Sequence, residues 1–266
     1  MSTQPGTALI TGASSGIGAI YADRLAKRGH DLILVARNRD RLQALAARLH
    51  AETGRTVQVV VADLSRKPDV DEVARLLRSD AGISMLVNNA GVGAIDSMLL
   101  SEAQRLEDMI AINVTALTLL SHAVVPGFVE RRAGTIINVA SVVAIAPELL
   151  NGVYGGSKAF VLGLSRSLHK ELAEHDIRVQ AVLPGATATE FWGLAGRPVE
   201  HLPSEIVMSA EDMVDAALAG LDAGELVTLP ALANIADLQA YEQARQALLP
   251  QLSSNTPAAR YTRSAG

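Results

Sequence analysis

Seven short β-branched runs alternate with longer stretches of helical period, and this alternation leaves the chain few folds. The runs are Thr7 to Thr11, Asp31 to Ala36, Thr56 to Val61, Met85 to Asn88, Thr135 to Val139, Arg178 to Leu183 and Glu225 to Leu229. Between them apolar residues recur at helical spacing, as in Tyr21 to Arg28, Val70 to Leu77 and Arg41 to Leu49, where Leu42, Leu45, Ala46 and Leu49 form one stripe. Strands that follow one another through a helix build parallel sheet. These strands are apolar almost throughout, the pattern of a sheet covered on both faces. The expectation is one α/β unit over residues 1–230: a doubly wound, seven-stranded parallel sheet with helices on both faces.

Residues 231–266 differ in character: Asn234 to Leu249 has a helical pattern, and Ser253 to Gly266 is small and polar enough for a loose tail. Ser101 to Arg132 is helical but apolar round most of its middle, through Ile110, Ile112, Val114, Leu117 and Leu120, which predicts burial on several sides and a face covered by a partner subunit. Glu190 to Ser209 lacks a period and gathers Phe191, Trp192, Pro198, His201 and Pro203 in a chain with 3% aromatics, so it reads as a functional loop or lid. Lys and Arg number 23 against 28 Asp and Glu, a net charge of −5, so nothing favours nucleic acid or an anionic membrane. Any anion site must be local. The absence of Cys excludes a disulfide framework. Met1 to Gly6 carries no Lys or Arg and does not read as a secretory signal, and Ala116 to Val129 is interrupted by Ser121, His122 and Pro126. A soluble, cytoplasmic protein is expected. No histidine pair has metal-ligand spacing among acids, and no metal is expected.

The first run ends in Thr11-Gly12-Ala13-Ser14-Ser15-Gly16-Ile17-Gly18 and passes directly into a helix. A strand, a glycine turn and a helix in that order set backbone N–H groups and the positive end of a helix dipole where a pyrophosphate can sit. Glycines allow the backbone to approach the phosphates and to adopt conformations a Cβ opposes. In dinucleotide sites an acid at the end of the second strand holds the ribose hydroxyls. Here the strand ends in Ala36-Arg37, followed by Asn38 and Arg39. Cations at a helix start cost about 0.3 to 1 kcal/mol each unless an anion compensates, and a ribose 2′-phosphate is such an anion. NADP(H) is therefore the expected cofactor.

Tyr154 and Lys158 lie four residues apart in a helical segment, Val153 to His175, and so share a face. An ammonium about 4 Å from a phenol at an effective dielectric near 20 is worth up to about 4 kcal/mol, which predicts a phenol pulled down toward neutrality, where a general acid or base works best.

The chain here resembles the short-chain dehydrogenase/reductase family in its single-domain branch, over nearly all of Thr7 to Leu229. The glycine turn, Asp63-Leu64, Asn88-Asn89-Ala90-Gly91, Asn113, Ser141, Tyr154 with Lys158, and Pro184-Gly185 occur in the family's order and approximate spacing. The resemblance implies a Rossmann-type fold and hydride transfer between a nicotinamide and a carbonyl or secondary alcohol. It implies Tyr154 as proton donor or base, Ser141 as holder of the carbonyl oxygen, Lys158 on the nicotinamide ribose, and Asn113 as support for a water that links Lys158 to solvent. It sets Gly12, Ser14, Ser15, Gly16, Ile17 and Gly18 on the pyrophosphate and Arg37 on the 2′-phosphate. Asp63 and Leu64 would lie beside the adenine, Asn89, Ala90 and Gly91 beside the adenosine ribose and the adjacent strand, and Thr187 and Thr189, after Pro184 and Gly185 of the same cofactor site, would meet the carboxamide. It also implies a homodimer or homotetramer.

Gly155-Gly156 departs from the family's habit of helix-favouring residues between the Tyr and the Lys. Either the catalytic helix is loose at its start until cofactor binds, or the glycines admit a close approach of the substrate loop. The segment Val142 to Leu150 and the lid residues Phe191, Trp192 and Leu194 predict an apolar pocket for a small neutral substrate. The competing reading is a non-catalytic sensor of the dinucleotide with the same fold.

Overall fold

The seven strands join in the order β3-β2-β1-β4-β5-β6-β7, every pair parallel. They are β1 (Thr7–Thr11), β2 (Asp31–Ala36), β3 (Val57–Val61), β4 (Ile83–Asn88), β5 (Gly134–Val139), β6 (Ile177–Val182) and β7 (Val227–Thr228). The computed structural model describes residues 5–261. The expectations placed on the first four and last five residues lie outside that range. The described residues divide after Pro230 into two units.

Side-chain alternation splits the core of the first unit into two halves. Ala8, Ile10, Leu32 and Leu34 face α1 (Gly16–Lys27), α2 (Arg39–Thr53) and α8 (Ala210–Asp222). Leu9, Ile33, Val35 and Leu86 face α3 (Lys67–Ser79) and α5 (Leu117–Arg131), with Leu172 at the end of α6 (Gly152–Leu172) in the same cluster. The helix starts are set by local chemistry: Asn38 accepts from Arg41 N at 3.0 Å, and Ser209 from Asp212 N at 2.9 Å.

Ser101 to Arg132 is not one regular helix. It divides into α4 (Ala103–Ile110), a π-helical stretch (Ala111–Ala116) and α5. By length and composition alone Ala103–Arg131 is apolar enough to cross a membrane, with a mean hydropathy of 1.7. Half of its most apolar window is buried within the protein, and α5 packs on α3, as a core helix does. The second unit carries α9 (Ile235–Leu248), capped by Asn234 accepting from Ala236 N at 3.1 Å.

Candidate active site

Strand order reverses between β1 and β4, and the glycine turn emerges there. Gly12 (φ 66°) and Gly16 (φ 51°) hold left-handed backbone. A Cβ on Gly18 would fall 2.3 Å from the Gly12 carbonyl oxygen and 2.5 Å from Asn89 Nδ2. Asn89 Nδ2 donates to the carbonyls of Thr11 (2.9 Å) and Gly12 (3.2 Å). In return Thr11 Oγ1 accepts from the backbone N–H groups of Asn89 and Ala90, both at 3.0 Å. The clasp fixes the turn against the end of β4. Ser15 caps α1 by position, but its side chain takes none of the first-turn N–H groups, which keep their capacity for an anion. The cradle fits a dinucleotide pyrophosphate.

The residues expected at an adenosine end are also held in place. Leu64 is buried, and Asp63 accepts from Ser65 N (3.0 Å) and Ser65 Oγ (2.8 Å). Partial burial pushes the Asp63 carboxyl up, but the Ser65 bonds together with nearby Arg37 and Arg66 outweigh it and hold the group below its usual range. Arg66 escaped the sequence reading; its place just before a helix that opens Lys67-Pro68 was the available signal. Arg37 and Arg39 are exposed and, among the described residues, make no hydrogen bond or ion pair.

Four elements meet at the reacting centre. Asn151 caps α6, its Oδ1 accepting from Val153 N (2.9 Å) and Tyr154 N (3.4 Å), while Nδ2 donates to the Asp96 carbonyl (2.6 Å) and Ser101 Oγ (3.1 Å). This residue, readable as a cap signal before a helix, fixes the turn that carries Tyr154. Lys158 Nζ stands 5.8 Å from the centre of the Tyr154 ring and donates to the Val139 carbonyl at 2.8 Å. Ser141 follows β5, lies close enough to the Tyr154 phenol to lower its pKa, and donates to the Pro184 carbonyl at 3.4 Å. Asn113 sits in the π-helical stretch with its amide bridging both backbone groups of Val92, at 2.9 Å each, and donates to Ser157 Oγ at 3.1 Å. Ser157 passes the link to the Tyr154 carbonyl at 2.7 Å. Gly91 lies beside the same pair, since a Cβ there would sit 3.3 Å from Asn113 Oδ1 and 3.4 Å from Lys158 Nζ. Thr187 is buried, and Thr189 packs against Gly16, to which an added Cβ would come within 3.1 Å.

The glycine pair is resolved by Pro147. A Cβ on Gly155 would lie 2.8 Å from Pro147 Cβ, whereas one on Gly156 would meet nothing within 4 Å. Gly155 admits the loop after Ser141 to the catalytic helix, and α6 runs unbroken through both glycines.

The electrostatics differ from the spacing argument. Burial pushes the Tyr154 phenol up to about 12, opposed by the nearby Ser141 hydroxyl, and pushes Lys158 down to about 8. Each group loses water, and Lys158 directs its ammonium to a backbone carbonyl, so desolvation outweighs the attraction that sequence proximity suggested. This carries a stability prediction for the cofactor-free protein. The unfolded chain loses the lysine proton near 10.5 and the folded protein near 8, so between these values the unfolded state binds more protons and stability rises with pH. The penalty, about 3 kcal/mol, is fully present below the folded value. Lys158→Met should flatten this rise, read as urea midpoints at about pH 7 and about pH 10 for both proteins. Parallel rises in the two proteins would contradict a desolvated Lys158.

A family model described as short chain dehydrogenase matches residues 6–197. The chain belongs to the short-chain dehydrogenase family. Among solved structures, this short-chain dehydrogenase is 50% identical to one from Sphingobium yanoikuyae in complex with NADPH, with a TM-score of 0.94 over 97% of this chain and 100% of that one. It is 45% identical to the bulky-bulky ketone specific alcohol dehydrogenase from Comamonas testosteroni, TM-score 0.90, over 97% and 99% of the two chains. Among curated proteins it is 35% identical over 190 residues to the very-long-chain 3-oxoacyl-CoA reductase of Anas platyrhynchos, covering 69% of this chain and 60% of that protein. It is 33% identical over 184 residues to the human 17-beta-hydroxysteroid dehydrogenase type 3, covering 68% and 59%. The match therefore spans less than two thirds of these two curated relatives.

The lid of this short-chain dehydrogenase is folded. Glu190 to Ser209 contains the one-turn helix α7 (Phe191–Ala195) and two 3₁₀ turns, Val199–His201 and Ser204–Ile206. Its apolar residues do not all face the site as the sequence suggested. Phe191 packs against the Tyr154 ring at a centroid distance of 5.7 Å, Trp192 Nε1 donates to the Thr187 carbonyl at 3.0 Å, and Leu194 is 76% exposed.

Proposed function

We propose that this oxidoreductase reduces an apolar ketone to its secondary alcohol, and the reverse, with NADP(H). The observation that carries the reading is the buried Tyr154 phenol, close enough to Ser141 for its pKa to be lowered by it and one helical turn from Lys158, in the unit that carries the glycine cradle. When bound, the cofactor supplies the hydride. The chain's own work is to hold the substrate oxygen between Ser141 and Tyr154 and to deliver the phenolic proton to that oxygen as the carbonyl carbon is reduced. A phenol whose pKa is about 12 in the protein alone is a reliable proton reservoir for reduction. Lys158, kept in place by the Val139 carbonyl, is set to meet the nicotinamide ribose, and its charge lowers the cost of the phenolate left behind.

An apolar substrate is supported by the side chains around the phenol: Ala94, Met109 and Val143 are buried with Tyr154, and Val92, Leu150 and Val153 pack on them. Relatives named as a bulky-bulky ketone specific alcohol dehydrogenase and a 17-beta-hydroxysteroid dehydrogenase support a ketone or alcohol substrate, and the NADPH complex of the Sphingobium enzyme supports the cofactor. A sensor would need the cradle alone; the buried Tyr154, Ser141 and Lys158 favour chemistry. We further propose a cytoplasmic homodimer or homotetramer, for which the exposed Ile110 at the end of α4 and Phe160 on α6 are the supporting surface features. The function is tested by turnover of a carbonyl panel with NADPH and NADH in parallel. Reduction of at least one apolar ketone, faster with NADPH, is expected; inertness toward the whole panel would refute it.

A further inference from the structure

We infer that Phe191 is the residue that sets how large a substituent the carbonyl substrate can carry, and that Gly93 exists in its present form to admit it. The inference rests on the carbonyl-reduction reading above and names a determinant within that site.

Three observations converge on the pair. The first is orientation. Of the three large apolar residues on the lid helix, Phe191 alone packs on the Tyr154 ring, tilted 44° to it at 5.7 Å, while Trp192 bonds back to Thr187 and Leu194 faces solvent. The second is volume. A Cβ built on Gly93 would lie 2.3 Å from Phe191 Cζ and 2.8 Å from Cε2, so the ring occupies the space that any other residue at position 93 would claim. Gly93 has no positive φ, so its lack of a side chain answers to the ring and not to backbone strain. The third is attachment. The lid helix is fastened at both ends, by Glu190 to Arg41 of α2 at 2.7 Å and by the Leu194 carbonyl to Arg105 of α4 at 2.9 Å. The same Arg105 also donates to the Gly93 carbonyl at 3.5 Å. Ring, glycine and fastening thus form one assembly in which Phe191 stands as a fixed wall.

The other apolar side chains packed with the phenol, Ala94, Met109, Val143, Val92, Leu150 and Val153, carry no ring and are smaller than Phe191. Phe191 is therefore the largest side chain packed beside the proton donor, and a substrate substituent that projects toward the lid must stop at it. The class that fits is an apolar ketone with one unrestricted substituent and one limited by the ring, together with the corresponding secondary alcohols. A single methylene in an apolar pocket is worth about 10 to 200-fold in kcat/KM, so removing a ring should exceed the lower figure.

The test uses acetophenone, whose second substituent is a methyl group, and benzophenone, whose second substituent is a phenyl ring. Phe191→Ala should raise the benzophenone to acetophenone ratio of kcat/KM by about tenfold or more, with the NADPH dissociation constant unchanged as the check on folding. Gly93→Ala, which drives the ring from its seat, should cost about tenfold or more with acetophenone in the wild-type background. In the Phe191→Ala background it should cost less than about twofold, because the clash has gone. A ratio within about twofold of wild type in a Phe191→Ala protein that binds NADPH would overturn the inference, as would an equal cost of Gly93→Ala in both backgrounds. A wild type that reduces other ketones of the panel but neither of these two would overturn this inference alone, whereas inertness toward the whole panel would remove the carbonyl-reduction reading and this inference together.

Discussion

Tyr154→Phe should bind NADPH as the wild type does and lose about 10² to 10⁴-fold in kcat, the range that general acid catalysis contributes. The substitution removes one oxygen and leaves the ring, so contacts with Phe191 and the cluster of Ala94, Met109 and Val143 persist. What disappears is the proton donor that stands beside Ser141. Because the lost interaction is with the substrate oxygen, the effect falls on kcat and kcat/KM together and spares the cofactor. Steady-state kinetics with any accepted ketone, paired with a fluorescence titration of NADPH, separates these effects. A Tyr154→Phe enzyme with kcat near wild type would refute the assigned proton path, and loss of NADPH binding would show that the phenol acts on the cofactor instead.

Arg37→Ala should weaken NADPH by about one to two orders of magnitude and leave NADH nearly unchanged, since a charge-assisted contact to a 2′-phosphate is worth about 1.5 to 3 kcal/mol. Arg37 is exposed at the end of β2, has no ion-pair partner among the described residues, and lies close enough to Asp63 to help depress its pKa. Its neighbour Arg41 is different, being engaged by Glu190 at 2.7 Å. Ala36→Asp should move the preference toward NADH, because a carboxylate at the strand end repels the phosphate and accepts from the ribose hydroxyls. Dissociation constants of both cofactors for wild type and Arg37→Ala decide the matter. Equal losses for the two, or tighter NADH in the wild type, would reject an NADP(H) site at Arg37.

The strands were legible in the sequence because a parallel sheet buried on both faces must be written in unbroken apolar residues. Where polar Ser84 interrupts the run, β4 starts at Ile83 and not at Met85. At the far edge only Val227–Thr228 remain paired of the stretch Glu225 to Leu229. The break between α4 and α5 was hidden for another reason. It coincides with the amide of Asn113 bonding the backbone of Val92, twenty-one positions away, and helical periodicity carries no trace of such a contact. The phenol's pKa misled for the same reason, since Lys158 is visible at four residues' distance while the burial that outweighs it comes from distant elements. Gly155 could be noticed as unusual, yet only the position of Pro147 says which of its two explanations holds. In the lid, composition announced an apolar segment, but which face of a one-turn helix meets the site depends on attachments at Arg41 and Arg105.

The central claim is that this short-chain dehydrogenase moves a hydride between NADP(H) and a carbonyl carbon while Tyr154 supplies the proton. It is tested most directly by reaction of an accepted ketone with NADPH deuterated at the transferring position of its nicotinamide, with the product analysed by mass spectrometry. The account predicts an alcohol bearing one deuterium on the former carbonyl carbon, formed by the wild type and nearly abolished in Tyr154→Phe. An alcohol product free of deuterium, or labelled product formed equally fast by Tyr154→Phe, would contradict it.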